Sequence, residues 1–179
     1  TLTASPLFAS AVVGASAVLL GGSEALKQSL LPDIAGGKMT LALALEETHH
    51  HNPTYISTTA NIQGENFILN GSKCFVLDGH SADKLIVVAR TAGTERSSAG
   101  LTLLLVDRNA SGVNCRRTFM ADSRNAANIR FDDVVVPAEN ALGTVNQGWA
   151  ILEPVLDRGR VAMAAEMMGS AMEVFELTV

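Results

Sequence analysis

The densest group of chemistry-bearing side chains is His49-His50-His51, which closely follows the acid pair Glu46-Glu47. Imidazole and carboxylate are both metal ligands and proton carriers. On an extended segment, however, consecutive side chains point to opposite faces, so three neighbours do not converge on one ion. No second His or Cys cluster completes such a site. The histidines therefore read as a polar loop leaving a strand, and no metal is expected. Glu46 and Glu47 read as a solvated acid pair opening the turn towards Pro53. His80, after Asp78-Gly79, reads as a turn residue with a surface or hydrogen-bonding role. Asp157-Arg158-Gly159-Arg160 combines an acid suited to a helix start with Arg160, which apolar neighbours on both sides place to project into a cleft and hold an anion. The stretch Gly143–Gly148 carries neither a dinucleotide fingerprint nor a P-loop, and there is no nucleophile-elbow motif. Cys74 and Cys115 form no CxxC, so neither a disulfide framework nor zinc is indicated. Two reduced thiols suit a cytoplasmic protein.

The elements that position these residues follow from composition and period. The 179 residues are 47% apolar and 17% charged, enough for a real core, and the net charge of −5 argues against nucleic-acid binding. Leu7–Leu20 is apolar but short of the roughly 20 residues that span a bilayer and lacks a basic leader, so it reads as a buried helix. Gly21-Gly22 ends that helix, Ser23-Glu24 opens a second, and Gly36-Gly37 closes it, with Pro32 predicting a kink or break. From residue 38 to 143 the period changes. Met39–Leu45, Ser57–Gln63, Asn66–Leu69, Ser72–Leu77, Lys84–Thr91, Leu101–Val106, Val113–Phe119 and Ala127–Val136 read as about eight strands, the sign of a sandwich or barrel. Gly64-Glu65 and Asn70-Gly71 predict tight hairpin turns, and Gly93–Ala99 an exposed, mobile loop. From Asn146 onward a long helix with a broad apolar face is expected, bent at Pro154. Thr1 in place of an initiator Met, and an apolar period that runs uncapped to Val179, suggest a piece of something longer.

Taken in order, these segments resemble the acyl-CoA dehydrogenase family. The resemblance rests on Leu31-Pro32-Asp33-Ile34-Ala35-Gly36-Gly37-Lys38, on the strand Leu41–Leu45 running into Glu46-Glu47, and on Asn70-Gly71-Ser72-Lys73-Cys74-Phe75-Val76-Leu77. It continues through Ser81-Ala82-Asp83 with Leu85–Arg90, through Gly100–Asp107, and most strongly through Val134–Asn140 to Leu142-Gly143. Gly148, Leu156–Arg160, Ala164-Ala165-Glu166 and Gly169 follow. Each motif is weak alone. Their order and spacing along nearly the whole chain make the likeness specific, and the Glu46-Glu47 and Asp78–Asp83 variants look most like the divergent small subunits of pimeloyl-CoA and steroid-degrading dehydrogenases.

The resemblance implies an α+β fold. Residues 1–37 would end an N-terminal helical domain, 38–143 would form an antiparallel β-barrel, and 144–179 would begin a C-terminal helix bundle. It implies FAD as cofactor and an acyl-CoA as substrate, oxidised to a 2-enoyl-CoA in fatty acid metabolism. It also implies a homo- or hetero-tetramer and an electron-transfer flavoprotein as partner. Leu43, Leu45, Glu46, Phe75, Val76 and Leu77 would touch the flavin, and Asn52, Asp157 and Arg160 the substrate. The catalytic base would lie beyond Val179, or, in one branch of the family, at the position that is Gly159 here. Glu46, Thr48 and Leu77 depart from the family's Thr, Pro and hydroxyl residue, and His49-His50-His51-Asn52 replaces its small-residue stretch. Two further readings are a non-catalytic subunit completing another chain's flavin site, and an unrelated barrel-type binding module.

Overall fold

The computed structural model describes residues 5–121 and 124–178. It begins with a π-helical segment, Leu7–Gly14, which continues into helix α1 (Ala15–Gly21). Helix α2 (Glu24–Ala35) starts where Ser23 accepts a hydrogen bond from the Leu26 amide at 3.3 Å, a side-chain cap. Pro32 lies inside α2 without breaking it. It sits near the end of the helix, where little helix remains to disrupt. Leu7, Leu19 and Leu20 are exposed rather than buried, while Ala9, Val13, Ala17 and Val18 face inward.

Eight strands follow: β1 (Leu41–Ala44), β2 (Thr59–Gln63), β3 (Asn66–Leu77), β4 (Lys84–Arg90), β5 (Leu101–Asp107), β6 (Val113–Phe119), β7 (Asn125–Pro137) and β8 (Ala141–Leu142). They form one sheet in the order β6-β7-β3-β2-β4-β5-β8, with β1 also paired to β4. The expected antiparallel barrel is corrected on two points. The sheet is mixed, because β1 and β2 both run parallel to β4. It is also open, since the end strands β6 and β8 do not pair with each other. β8 offers only two residues to β5, and β6 carries exposed Arg116, Arg117 and Phe119, so neither end presents an edge suited to closure.

The expected hairpin at Asn70-Gly71 is also corrected. β3 runs unbroken from Asn66 to Leu77, and the turn that joins it to β2 is at Gly64-Glu65, where Gln63 pairs with Asn66. At Asn70-Gly71 the strand instead shifts register against β7. Asn70 exchanges hydrogen bonds with Asp133 there, Nδ2 donating at 2.8 Å and Oδ1 accepting from the Asp133 amide at 2.9 Å. Gly71 has φ +142°, and a Cβ on it would lie 2.6 Å from Thr58 Oγ1. The extra residue of this irregularity lies on β7, where Asp133 takes φ +49°, while Gly71 permits the close approach of Thr58.

β4 and β5 are buried on both faces, which explains their unbroken apolar runs. Leu41, Ile86, Val88, Leu103 and Leu105 face the helices, against Val18, Leu30, Leu152 and Val155. Ala42, Leu85, Val87 and Leu104 face the opposite way, into the concavity of the curled sheet, where Phe67, Leu69, Ile129, Phe131 and Val134 fill a second core. The Gly93–Ala99 loop is anchored rather than loose. Buried Arg90 donates to the carbonyls of Glu95, Ser97 and Ala99, at 3.1, 2.9 and 2.8 Å, and to that of Ile56 at 3.1 Å.

Helix α3 (Trp149–Thr178) is continuous through Pro154. Arg158 donates to Ser16 Oγ at 3.1 Å, tying α3 to α1. Its first half packs most closely. Ile151, Leu152, Val155 and Gly159 are buried, whereas Met167, Met168, Met172, Phe175 and Leu177 are exposed.

Candidate functional site

The end of β1 and the end of β3 lie side by side, and a buried ion pair joins them. Lys73 Nζ donates to Glu47 Oε1 at 2.7 Å and to the Leu45 carbonyl at 3.0 Å. Glu47 also accepts from the Ser57 amide and hydroxyl, at 2.7 and 2.5 Å, and from the Thr58 amide at 3.0 Å. The Lys73 side chain is fully buried and that of Glu47 is 4% exposed. Burial alone would raise the Glu47 carboxyl, but Lys73 and the donors from Ser57 and Thr58 hold it at about 2. Burial pushes the Lys73 ammonium down to about 8 against the opposing pull of Glu47. Glu47 is therefore not the solvated acid that residue type alone suggests. Sequence reasoning also missed Lys73 as its partner. The signal was present: a lysine inside an apolar strand requires a buried acid, and Glu47 follows the preceding apolar strand.

One turn beyond Lys73 the strand bulges. Lys73 pairs with Ile129 and Val76 with Ala127, so β3 spends one extra residue against β7. Phe75 takes up the bulge at φ +55°, and its amide donates to Asn128 Oδ1 at 3.1 Å. A bulky residue in the left-handed region costs about 1–2 kcal/mol, and this one leaves its ring 55% exposed. Cys74 donates its amide to the Glu46 carbonyl at 2.8 Å and its thiol to the Thr48 carbonyl at 3.1 Å. Burial, with Glu46 beside it, raises the Cys74 thiol above its ordinary value, which argues against a nucleophile.

These two strand ends, the π-helical segment and the part of α3 up to Met167 border a half-open cavity of about 480 Å³, inside the span of about 300–1,000 Å³ usual for small-molecule sites. Leu43, Leu45, Glu46, Phe75, Val76 and Leu77 all stand in its wall, as does Arg160. Phe8, Val13 and Met163 close the far side, and none of these was singled out from the sequence. A π-helical turn at a cavity wall is a recurrent functional feature, but the sequence carries no signature of it.

Asn52 and Asp157 stand outside the wall. The Asn52 amide donates to Glu46 Oε2 at 3.1 Å, and its side-chain Oδ1 accepts from the Thr54 hydroxyl at 3.3 Å. Asp157 pairs with Arg160 at 2.5 Å on the exposed surface of α3, so it reaches the cavity only through that arginine. His51 does line the cavity, with Nδ1 2.6 Å from Glu46 Oε1. Among the described residues no group of three or more His, Cys, Asp or Glu is placed to hold a metal, and no helix is long and apolar enough to cross a membrane.

Residues 42–134 match the sequence family described as "Acyl-CoA dehydrogenase, middle domain". The very long-chain specific acyl-CoA dehydrogenase of Bos taurus mitochondria is 32% identical over 173 residues, covering 88% of this chain and 26% of that protein. An acyl-CoA dehydrogenase of Bacillus subtilis is 32% identical over 168 residues, covering 92% and 44%. The chain thus spans less than half the length of these curated relatives. The solved structure of butyryl-CoA dehydrogenase from Megasphaera elsdenii superposes with a TM-score of 0.85 at 29% identity, covering 92% of this chain and 44% of that one.

Proposed function

The chain belongs to the acyl-CoA dehydrogenase family, and from that premise we propose that its cavity is one wall of a shared flavin and acyl-thioester site. The observation that carries this reading is the convergence of Leu43, Leu45, Glu46, Phe75, Val76, Leu77 and Arg160, from three separate elements, on one apolar chamber. The family's cofactor is FAD. The side chains present fit its ring system: aliphatic walls suit the two faces of a flat heterocycle, and the exposed Phe75 ring offers a stacking edge. Leu77 has no hydrogen-bonding group, and Glu46 is engaged with His51 and Asn52. The polar rim of the ring therefore falls to main-chain groups. The chamber is too small for a whole dinucleotide beside a thioester, which suits a site completed by other chain segments.

The activity proposed is α,β-dehydrogenation of an acyl-CoA, with a bulky or dicarboxylic acyl group. When bound, FAD accepts the hydride. This chain's own residues exclude water with Leu43, Leu45, Val76 and Leu77, and keep the two strand walls in register through Lys73 and Glu47. Arg160 presents a guanidinium at the rim for an anionic part of the ligand. An oligomer, up to a homo- or hetero-tetramer with an electron-transfer flavoprotein as acceptor, and a cytoplasmic location are part of the same proposal.

The missing side-chain donors at Glu46 and Leu77 favour a second reading, a partner subunit that completes another chain's flavin site. Absorbance at the flavin band of the full-length protein separates the two. Flavin carried by the purified protein alone supports the first reading, and an apo protein that gains flavin only on mixing with a partner chain supports the second. No flavin under any pairing, with no thermal shift on adding acyl-CoA, refutes both.

A further inference from the structure

Helix α3 lines the chamber with Val155, Leu156, Gly159, Arg160, Met163 and Met167. Val155 and Met163 lie four residues to either side of Gly159 and share its helix face, so the glycine is a gap in a row of larger side chains. It is buried. A Cβ added there would meet Phe8 Cζ at 3.6 Å and Val13 Cγ2 at 3.7 Å, both ordinary contacts. Gly14 and Gly21 are different: a Cβ would fall 2.6 Å from Leu41 Cβ at the first and 2.7 Å from Ile151 Cδ1 at the second. Those two are imposed by packing, and Gly159 is not. Glycine inside a helix is also less stable than alanine, so the fold gains nothing from it. What the missing side chain leaves is a notch in the chamber wall, bounded by the apolar Phe8, Val13, Val155 and Met163.

We propose that Gly159 is a specificity-determining residue, whose notch admits a wide, uncharged acyl group, branched or alicyclic. This rests on the acyl-thioester reading of the chamber and chooses between the two acyl classes of that reading. A straight chain makes no use of the notch and leaves it as a void whose lining loses its contacts. A distal carboxylate would find no cation among the four apolar bounding residues, since Arg160 stands at the rim, 57% exposed and paired to Asp157. Met163 and Met167 are unbranched, and their thioethers adapt to an irregular apolar ligand.

The test is equilibrium dialysis of cyclohexanecarbonyl-CoA, butyryl-CoA and glutaryl-CoA against the full-length protein under anaerobic conditions. The wild type is expected to hold cyclohexanecarbonyl-CoA most tightly. Gly159→Val should weaken that ligand about tenfold or more, and butyryl-CoA by less than about threefold. Gly159→Ala should lose a smaller share of the cyclohexanecarbonyl-CoA affinity without lowering the melting midpoint, which separates a filled notch from a damaged helix. Equal weakening of both neutral ligands, unchanged selectivity in Gly159→Ala and Gly159→Val, or glutaryl-CoA as the tightest ligand of the wild type overturns the proposal. If the wild type binds none of the three, the acyl-thioester reading itself fails and the proposal falls with it.

Discussion

Removing Lys73 alone should be far more damaging than removing Lys73 and Glu47 together. The Glu47 carboxyl is held at about 2 against an ordinary 4.5, a difference favouring the folded state by about 3 kcal/mol. The Lys73 ammonium is pushed to about 8 from 10.5, a difference of similar size, about 3 kcal/mol, in the opposite sense. Burial and mutual attraction thus oppose each other in both partners, and replacing both groups together is expected to cost little, as for buried ion pairs generally. Lys73→Met strands a carboxylate that is 4% exposed and also removes the donor to the Leu45 carbonyl, so a loss of about 3–5 kcal/mol is expected. Glu47→Gln strands the buried ammonium and belongs in the same range. The double variant, Lys73→Met with Glu47→Gln, keeps the volume and the Ser57 contacts but turns the amide nitrogen towards the Thr58 amide, so it should lose about 1–2 kcal/mol, less than either single variant. Urea unfolding of the four proteins, with midpoint and slope fitted together, gives the coupling energy. A Lys73→Met midpoint within error of wild type, or single losses that simply add in the double variant, would refute the account of the two strand ends as electrostatically stapled.

Three further outcomes follow from the same geometry. Because Glu47 titrates at about 2 folded and 4.5 by itself, the unfolded chain binds the extra proton in that window. Its contribution is complete above pH 4.5 and lost as the pH falls towards 2, and a Glu47→Gln variant should lose that slope in acid-unfolding curves. Gly71→Ala places a methyl 2.6 Å from Thr58 Oγ1 at φ +142°; a loss of about 2 kcal/mol or more is expected in thermal unfolding, and unchanged stability would contradict the close approach. Phe75→Gly relieves the φ +55° strain and should raise stability by about 1 kcal/mol while lowering flavin retention on gel filtration, whereas a variant that keeps its flavin would remove Phe75 from the ring-binding wall.

Much of the fold was legible because it depends on local periods. The strands β4, β5, β6 and β7, the Ser23 cap and the Gly64-Glu65 turn each follow from residue type within a few positions. The errors arose where one local signal serves two structures. Asn70-Gly71 suits a close backbone approach inside a strand as well as a turn, and only the presence of β7 and Thr58 on either side decides between them. The barrel failed for a similar reason: strand count is visible in sequence, whereas pairing direction and edge closure depend on which strand arrives from the helical layer. At the site, the resemblance to the family pointed to Leu43, Leu45, Glu46, Phe75, Val76 and Leu77, which stand in the cavity wall, while Phe8 and Val13 were invisible because nothing local marks a helical residue as facing a distant strand end.

By itself the sequence determined the order of helix pair, strands and long helix, since hydrophobic period is a property of neighbouring residues, and its resemblance to the family pointed to the two strand ends that meet at the cavity. Only the tertiary structure decided that Glu47 is a buried partner of Lys73 while Glu46, one residue earlier, opens onto the chamber and holds His51. Adjacent side chains on extended backbone leave on opposite faces, and which face is dry depends on what the rest of the chain packs against it.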